Sequence, residues 1–367
     1  MSDHLRCWVE VSRPQLAANF RAIRDAVGPS VEVMPVVKAD AYRHGAIEVS
    51  KVLIGEGARW LAVSSVEEGV SLRRHGVFAR ILVMGGVLPW ERHAVLEYQL
   101  TPVVHSLEEL RQIGPVAYHL KIDTGMGRLG ASDPPEAILE AIRQAHPARL
   151  EGLMTHFASS ADFTSSQTEE QTRRFFHVRD RLAAAGMKPA FLHMSSTNPI
   201  VLARRETWQN MVRPGISVYG YWSPGKGDAP KPLVDVRPVL NWRASVVLVK
   251  EVPAGERIGY GGIYRAERAT RIAVLGVGYA DGLPHRLSNK GRVIARGRFA
   301  PILGAVSMDL TTIDATQIPE LQTGDSVSII GAEGEAAQDA RHLARAAGTI
   351  SYSVLCGISA RVKRVYL

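Results

Sequence analysis

Short apolar runs alternate with stretches of helical periodicity along the first two-thirds of the chain. Residues 31–37, 60–63, 81–84, 101–104, 117–122, 152–156, 191–194 and 211–218 are the predicted strands. Several are unbroken and rich in Val, Ile and Leu, as parallel strands buried on both faces are. The intervals carry helix-start chemistry. Ser65-x-x-Glu68, Ser106-x-x-Glu109 and Ser166-x-x-Glu169 fit capping boxes, and Asp133-Pro-Pro-Glu136 is an acidic analogue. Ahead of the first strand, Ser12 is placed to cap a helix with Leu16, Phe20, Ile23 and Val27 on one face. Eight strands with intervening helices predict a (β/α)8 barrel; a doubly wound open sheet is the alternative, because periodicity does not report closure.

The pattern changes after Tyr221. Pro224, Pro230, Pro232 and Pro238, with Gly225 and Gly227, mark a long connection. Short β-type runs with glycine turns follow at 244–252, 271–277, 291–295, 300–303 and 325–330, and a helix is expected near 338–347. The expected organisation is therefore a barrel over 12–236 and a mostly β domain over 237–367, with residues 1–11 supplying a strand to the second domain.

At 367 residues, two domains are the default, and 46% hydrophobic with 22% charged residues suits a folded chain. Disorder, collagen and disulfide scaffolds are excluded. Cys7 and Cys356 are too few for a disulfide framework and point to a reducing compartment. Lys and Arg number 44 against 36 Asp and Glu, for a net charge of +8. The basic residues are scattered, which favours a basic surface over a nucleic-acid site. No apolar run is long enough to span a membrane, and the N-terminus MSDHLRCWVEV has no basic start before an apolar stretch. A cytoplasmic protein with no membrane association is expected.

The segment Met-Pro-Val-Val-Lys38-Ala-Asp-Ala-Tyr-Arg-His-Gly ends an apolar run on a lysine. In a barrel that end is the catalytic face, and an amine there can attack a carbonyl. A lysine that merely snorkels to the rim has the same pattern. VVKADAYRHG resembles the cofactor-lysine signature of the alanine racemases, pyridoxal-phosphate enzymes with a barrel and a β domain. KIDTGMGRLG, MTHFASS, HMSSTN and VRPGISVYG are similar to that family's barrel motifs. GYGGIY, GYADGLPHRLSNKG, GAVSMD and the RVKRVY ending resemble its β-domain motifs. They occur in the family's order over almost the whole chain.

The resemblance implies a homodimer with shared active sites, pyridoxal 5′-phosphate as cofactor, alanine as substrate and no metal. Lys38 is implied as the Schiff-base lysine and as the base on one face of the α-carbon. Tyr260 of the partner subunit is implied as the base on the other face. A tyrosine ordinarily titrates near pH ~10 and needs activation for that work. The cofactor phosphate is assigned to Ser196, Gly215 and Ile216, with Tyr42 and Tyr352 adding hydroxyls. The loops after strands 7 and 8 of a barrel commonly bind phosphate, which agrees independently. Arg213 is the implied partner of the ring nitrogen, and His156 packs near the ring. Arg128 is implied to contact the substrate carboxylate, with Lys121 a carbamylated lysine beside it. Met308 and Asp309 are implied to line the substrate site, and Tyr279 its entrance. D-alanine for peptidoglycan is the implied product.

Four positions depart from the family pattern. Asp40 replaces an asparagine, Arg43 a glycine, Ser195 an asparagine and Ser307 a cysteine. Ser195 and Ser307 are expected to border the pocket. Two other functions share parts of the pattern. A barrel-type decarboxylase of basic amino acids would place a carboxylate at the ring nitrogen, where Arg213 stands. A non-catalytic pyridoxal-phosphate-binding protein would lack the second domain.

Overall fold

The computed structural model describes residues 5–367; residues 1–4, part of the N-terminal segment considered above, lie outside them. The chain divides into two compact units. One holds Leu16–Ala41 and Ala46–Arg237; the other holds the N-terminal stretch to Gln15, Tyr42–Gly45 and Pro238–Leu367.

The first unit is a parallel barrel. Strands Trp60–Val63, Arg80–Val83, Thr101–Val104, Ala117–Lys121, Arg149–Met154 and Phe191–His193 pair in sequence order. Glu32–Val33 pairs with Met211–Val212. The ring closes on both sides of this pair. The Val37 amide donates to Ala62 O at 2.8 Å, and the Arg213 amide donates to Ser195 O at 2.9 Å. The first and last strands are shorter than expected, because Pro35 and Pro214 carry no N–H for the ladder. Residues 216–218, expected as strand, fall in the 3₁₀ turn Ile216–Tyr219 instead.

Helices cover the barrel. In Arg13–Val27, Leu16, Phe20, Ile23 and Val27 are buried, and Ser12 Oγ accepts from the Gln15 amide at 3.2 Å. Ser65 and Ser106 cap their helices through the amides of Glu68 and Glu109. Ser166 does not; it is already helical, and its hydroxyl donates to Glu170 instead. The Asp133 analogue fails too, since Pro134 occupies the cap before the helix Pro135–Gln144. Val104, Leu120, Ile138, Leu153, Phe175 and Leu182 pack between strands and helices.

Lys38–Arg43 forms one helical turn of the wrong hand. Ala39, Asp40 and Ala41 have φ of 53°, Tyr42 52° and Arg43 66°. For residues with a Cβ this costs about 1–2 kcal/mol each.

The second unit is built on the long strand Leu240–Val252. Cys7–Val11 pairs antiparallel with it and parallel with Lys363–Tyr366. Ser326–Glu333 flanks its other edge, followed by Arg292–Ala295 and Arg298–Pro301. Its distal half pairs with Thr270–Leu275, which pairs with Thr311–Asp314. Trp242 is fully buried and donates to Cys7 Sγ at 3.1 Å. Burial pushes the Cys7 thiol up to about 12, so it is inert packing rather than a nucleophile.

Candidate active site

The C-terminal ends of the barrel strands gather cations. Lys121 ends its strand at 4% exposure, and burial followed by repulsion from Arg213, Arg128 and Lys38 pushes its ammonium down to about 8. His156 follows the next strand. Burial, then the same four cations, pushes its imidazole down to about 3. Asp123 is the carboxylate that acts on Lys121, and it is occupied. It accepts from the amides of Gly125, Met126 and Gly127 at 3.0, 2.9 and 3.1 Å, folding the loop that carries Arg128. Lys38, Lys121, Arg128 and Arg213 make these strand ends positive, which suits an anion.

Arg213 is 2% exposed, and burial pushes its guanidinium down to about 9. Nη1 donates to His193 Nδ1 at 2.7 Å and to His193 O at 2.8 Å. Nη2 donates to Thr155 O at 2.7 Å and Met194 O at 3.1 Å. Its Nε–H has no protein acceptor among the described residues. Because His193 accepts at Nδ1, its proton sits on Nε2, which donates to His119 Nδ1 at 2.7 Å. His119 Nε2 then faces Glu151 at 3.8 Å, and Glu151 is paired with Arg80 and Arg149. Burial lowers the pKa of both histidines, so two neutral rings lie between the buried guanidinium and a carboxylate. Sequence reasoning missed His119, His193, Thr155 and Glu151. The available signal was a histidine inside an apolar strand.

Ser196 opens the short helix Thr197–Val201, yet its hydroxyl makes no cap bond. Thr197 Oγ1 accepts from the amides of Gly215 at 3.1 Å and Ser217 at 3.3 Å. Gly215 and Ile216 start the 3₁₀ turn beside it. Thr197, also missed, thus ties the strand-7 loop to the strand-8 loop. Ser195 is buried and its hydroxyl donates to Thr207 O at 2.8 Å, so it has a structural bond rather than a free edge.

In the second unit, three loops are knit together. Tyr260, 78% exposed, stands among Gly259, Gly261 and Gly262, all at positive φ. Asn289 donates to Ile263 O at 2.9 Å and accepts from the Gly304 amide at 2.6 Å, joining the Tyr260 loop to residues 304–309. The Tyr279 amide donates to Ser307 O at 2.9 Å and the Ala280 amide to Met308 O at 3.0 Å. Ser307 Oγ donates to Leu310 O at 2.6 Å, which rounds the loop. Arg361 bridges buried Asp281 and exposed Asp309 at 2.7 Å each, and the two carboxylates hold it charged. Tyr260, Ile263, Tyr279, Met308 and Leu310 form exposed apolar surface. Tyr42 and Tyr352 pair separately, ring centroids 6.2 Å apart. Arg43 Nε donates to Cys356 O at 3.4 Å.

Comparison with known proteins extends over both units. The family model "Alanine racemase, N-terminal domain" matches residues 11–224, and "Alanine racemase, C-terminal domain" matches 239–366. An alanine racemase of Halothermothrix orenii is 41% identical, covering 98% of this chain and 96% of the relative. One from Symbiobacterium thermophilum is also 41% identical, with the same coverage. The solved alanine racemase of Clostridium difficile 630 superposes with a TM-score of 0.91 at 32% identity, covering 99% of this chain and 96% of that one. That of Bartonella henselae, solved with covalently bound pyridoxal phosphate, gives a TM-score of 0.87 at 26% identity over 99% and 100%. Clustered cations at a barrel's catalytic face, a lysine at its rim and full-length similarity in both units lead to one assignment: the chain belongs to the alanine racemases, a family of pyridoxal-phosphate-dependent isomerases.

Proposed function

We propose that this chain interconverts L- and D-alanine as a homodimer, with Lys38 and Tyr260 of the partner subunit moving protons on opposite faces of the α-carbon. The reading is carried by Arg213: four of its N–H groups are committed to the barrel, and the fifth is free for a ligand atom. The residues present fit pyridoxal 5′-phosphate. The pocket is positive, Ser196 has an uncommitted hydroxyl, and the free Nε–H suits a ring nitrogen that accepts. Ser196, Gly215 and Ile216 would hold the phosphate, with Tyr42 and Tyr352 as hydroxyl donors. His156, neutral at working pH, would lie by the ring without adding charge.

When bound, the cofactor supplies an electron sink that acidifies the α-hydrogen of an amino acid joined to it. Arg213 stays charged at neutral pH and only donates, so it leaves the ring nitrogen unprotonated and restrains that sink. This favours a single proton exchange over transamination. Arg128 orients the substrate carboxylate through its planar fork. Lys38, as a neutral amine, takes or returns the proton on the D face. Tyr260 of the partner subunit serves the L face, supported by the phenol's high exposure and its glycine loop. The exposed apolar surface around it suits a subunit interface. Met308 and Asp309 line the substrate site and Tyr279 its entrance, with Arg361 steadying Asp309.

Lys121 is the site of a carbamate. Its lowered pKa leaves a neutral fraction near pH 7 that adds to CO₂: a C–N bond forms, one proton leaves, and the resulting anion pairs with Arg128. The enzyme works in the cytoplasm, which suits two cysteines that form no disulfide, and its D-alanine goes to peptidoglycan.

Circular dichroism of L- and D-alanine solutions tests the reaction. Lys38→Ala should remove both the visible absorbance of the bound cofactor and turnover. Tyr260→Phe should keep the absorbance and slow deuterium exchange from L-alanine far more than from D-alanine. Mixing the two inactive variants should restore partial activity. Retained turnover in Lys38→Ala, or no recovery after verified subunit exchange, defeats the shared-site reading. Growth of a D-alanine auxotroph on the expressed gene tests the product's role.

A further inference from the structure

We propose that Glu68 is the positioning residue for Lys38, its carboxylate bracing the left-handed turn that begins at the lysine. This rests on Lys38 being the cofactor amine. The turn has a strong reason to relax, since Ala39, Asp40 and Ala41 hold φ of 53° without a glycine among them. Local sequence does not supply that conformation, so partners from elsewhere must hold it.

Glu68 is such a partner. Its Oε1 accepts from the Ala39 amide at 2.6 Å, the first peptide N–H after Lys38. Its Oε2 accepts from the Ser64 amide at 2.7 Å, at the end of the neighbouring strand Trp60–Val63. One carboxylate therefore pins the start of the turn to the adjacent barrel strand through two charge-assisted bonds. Asp40 Oδ1 closes the far side by accepting from the Ala46 amide at 2.8 Å. The strand itself arrives at fixed height, because the Val37 amide donates to Ala62 O and the Ala62 amide to Pro35 O.

A second capping box in the same barrel shows that this is more than helix capping. In Ser106-x-x-Glu109, Glu109 accepts from the His105 amide at 2.8 Å, the counterpart of the Ser64 bond. The Val87 backbone also acts on this carboxylate, but its other oxygen, Oε1, closes no full hydrogen bond. In the Ser65 box the corresponding oxygen reaches across to Ala39. Of the two like motifs, only the one beside the lysine closes this second bond, at 2.6 Å.

The test compares Glu68→Ala, Glu68→Gln, Ser65→Ala and Glu109→Gln in the cofactor-loaded protein. Amide hydrogen exchange over residues 38–46 reads the turn, and the pH midpoint of the bound cofactor's visible absorbance reads the lysine. Glu68→Ala should speed exchange in 38–46 by roughly ten- to a hundredfold, the fold-change of one lost hydrogen bond to a charged group. It should also move the absorbance midpoint and lower kcat more than it raises KM. Glu68→Gln, which keeps one accepting oxygen and replaces the other with an NH₂ donor, should fall between. Ser65→Ala should loosen only the start of helix Val66–Arg74, and Glu109→Gln should leave 38–46 unchanged. Unchanged exchange over 38–46 in Glu68→Ala, or the same change in Ser65→Ala, overturns the proposal. If Lys38→Ala keeps the absorbance, the assignment of the amine fails separately, and the exchange result still reports on the brace.

Discussion

Lys121→Met removes one cation from a crowded pocket, and the protein should become more stable without its cofactor. The ammonium is pushed from its ordinary 10.5 to about 8, first by burial and then by Arg213, Arg128 and Lys38. At about 1.36 kcal/mol per pH unit, keeping it charged in the fold costs on the order of 3 kcal/mol at pH 7. Between pH 8 and 10.5 the unfolded chain holds a proton that the native state has released. Wild-type stability therefore rises with pH through that window, and below pH 8 the full penalty is present. The advantage of Lys121→Met should fall from roughly 3 kcal/mol at pH ~7 to about 2 near pH ~9 and below about 0.5 at pH ~10.5. Urea unfolding of both proteins in CO₂-free buffer measures it. A difference that is flat with pH, or a less stable variant at pH ~7, refutes the cation cluster as the cause. Bicarbonate should reverse the sign, because a carbamate on Lys121 replaces a repelled cation with an anion among arginines.

Two further substitutions probe the frame around the site. A Cβ at Gly278 would lie far inside contact distance of the carbonyl oxygens of Ser307 and Met308. Gly278→Ala should therefore displace the 304–309 loop and raise KM for alanine, while cofactor absorbance on the barrel persists; an unchanged KM counts against Met308 and Asp309 as substrate neighbours. Thr197→Val keeps the side-chain shape and removes the acceptor for the amides of Gly215 and Ser217. Affinity for pyridoxal phosphate, titrated by absorbance, should weaken at least roughly tenfold, since two buried donors lose their shared acceptor; wild-type affinity would detach these loops from the phosphate.

The barrel was legible because its strands are buried on both faces and therefore appear as apolar runs. Trp60–Val63 and Thr101–Val104 coincide with their predicted runs. Proline shortened the first and last: Pro35 and Pro214 sit in runs of suitable hydropathy but cannot donate to the ladder, so regular pairing stops early. The capping signals separated according to what preceded them. Ser65 and Ser106 follow strands in extended backbone and cap; Ser166 is itself helical and cannot. At the site, order along the chain identified the residues that project from strand ends. It had no access to the groups behind them. His193 and His119 are 74 positions apart and meet only across the barrel interior.

The left-handed turn is the sharpest case. Ala-Asp-Ala-Tyr-Arg contains no glycine, and nothing in its composition opposes an ordinary right-handed helix. Five residues at about 1–2 kcal/mol each set a conformational cost on the order of 5–10 kcal/mol against the observed hand. Such a sum is not recovered within five residues. It has to be offset by bonds from distant positions, among them the Ala39 amide to Glu68 and the Arg364 guanidinium to Arg43 O at 3.1 Å. A conformation held against local preference is set by tertiary partners, so no window of sequence around Lys38 contains it. The same reasoning says where to look for control of the lysine: at the residues that hold the backbone beside it.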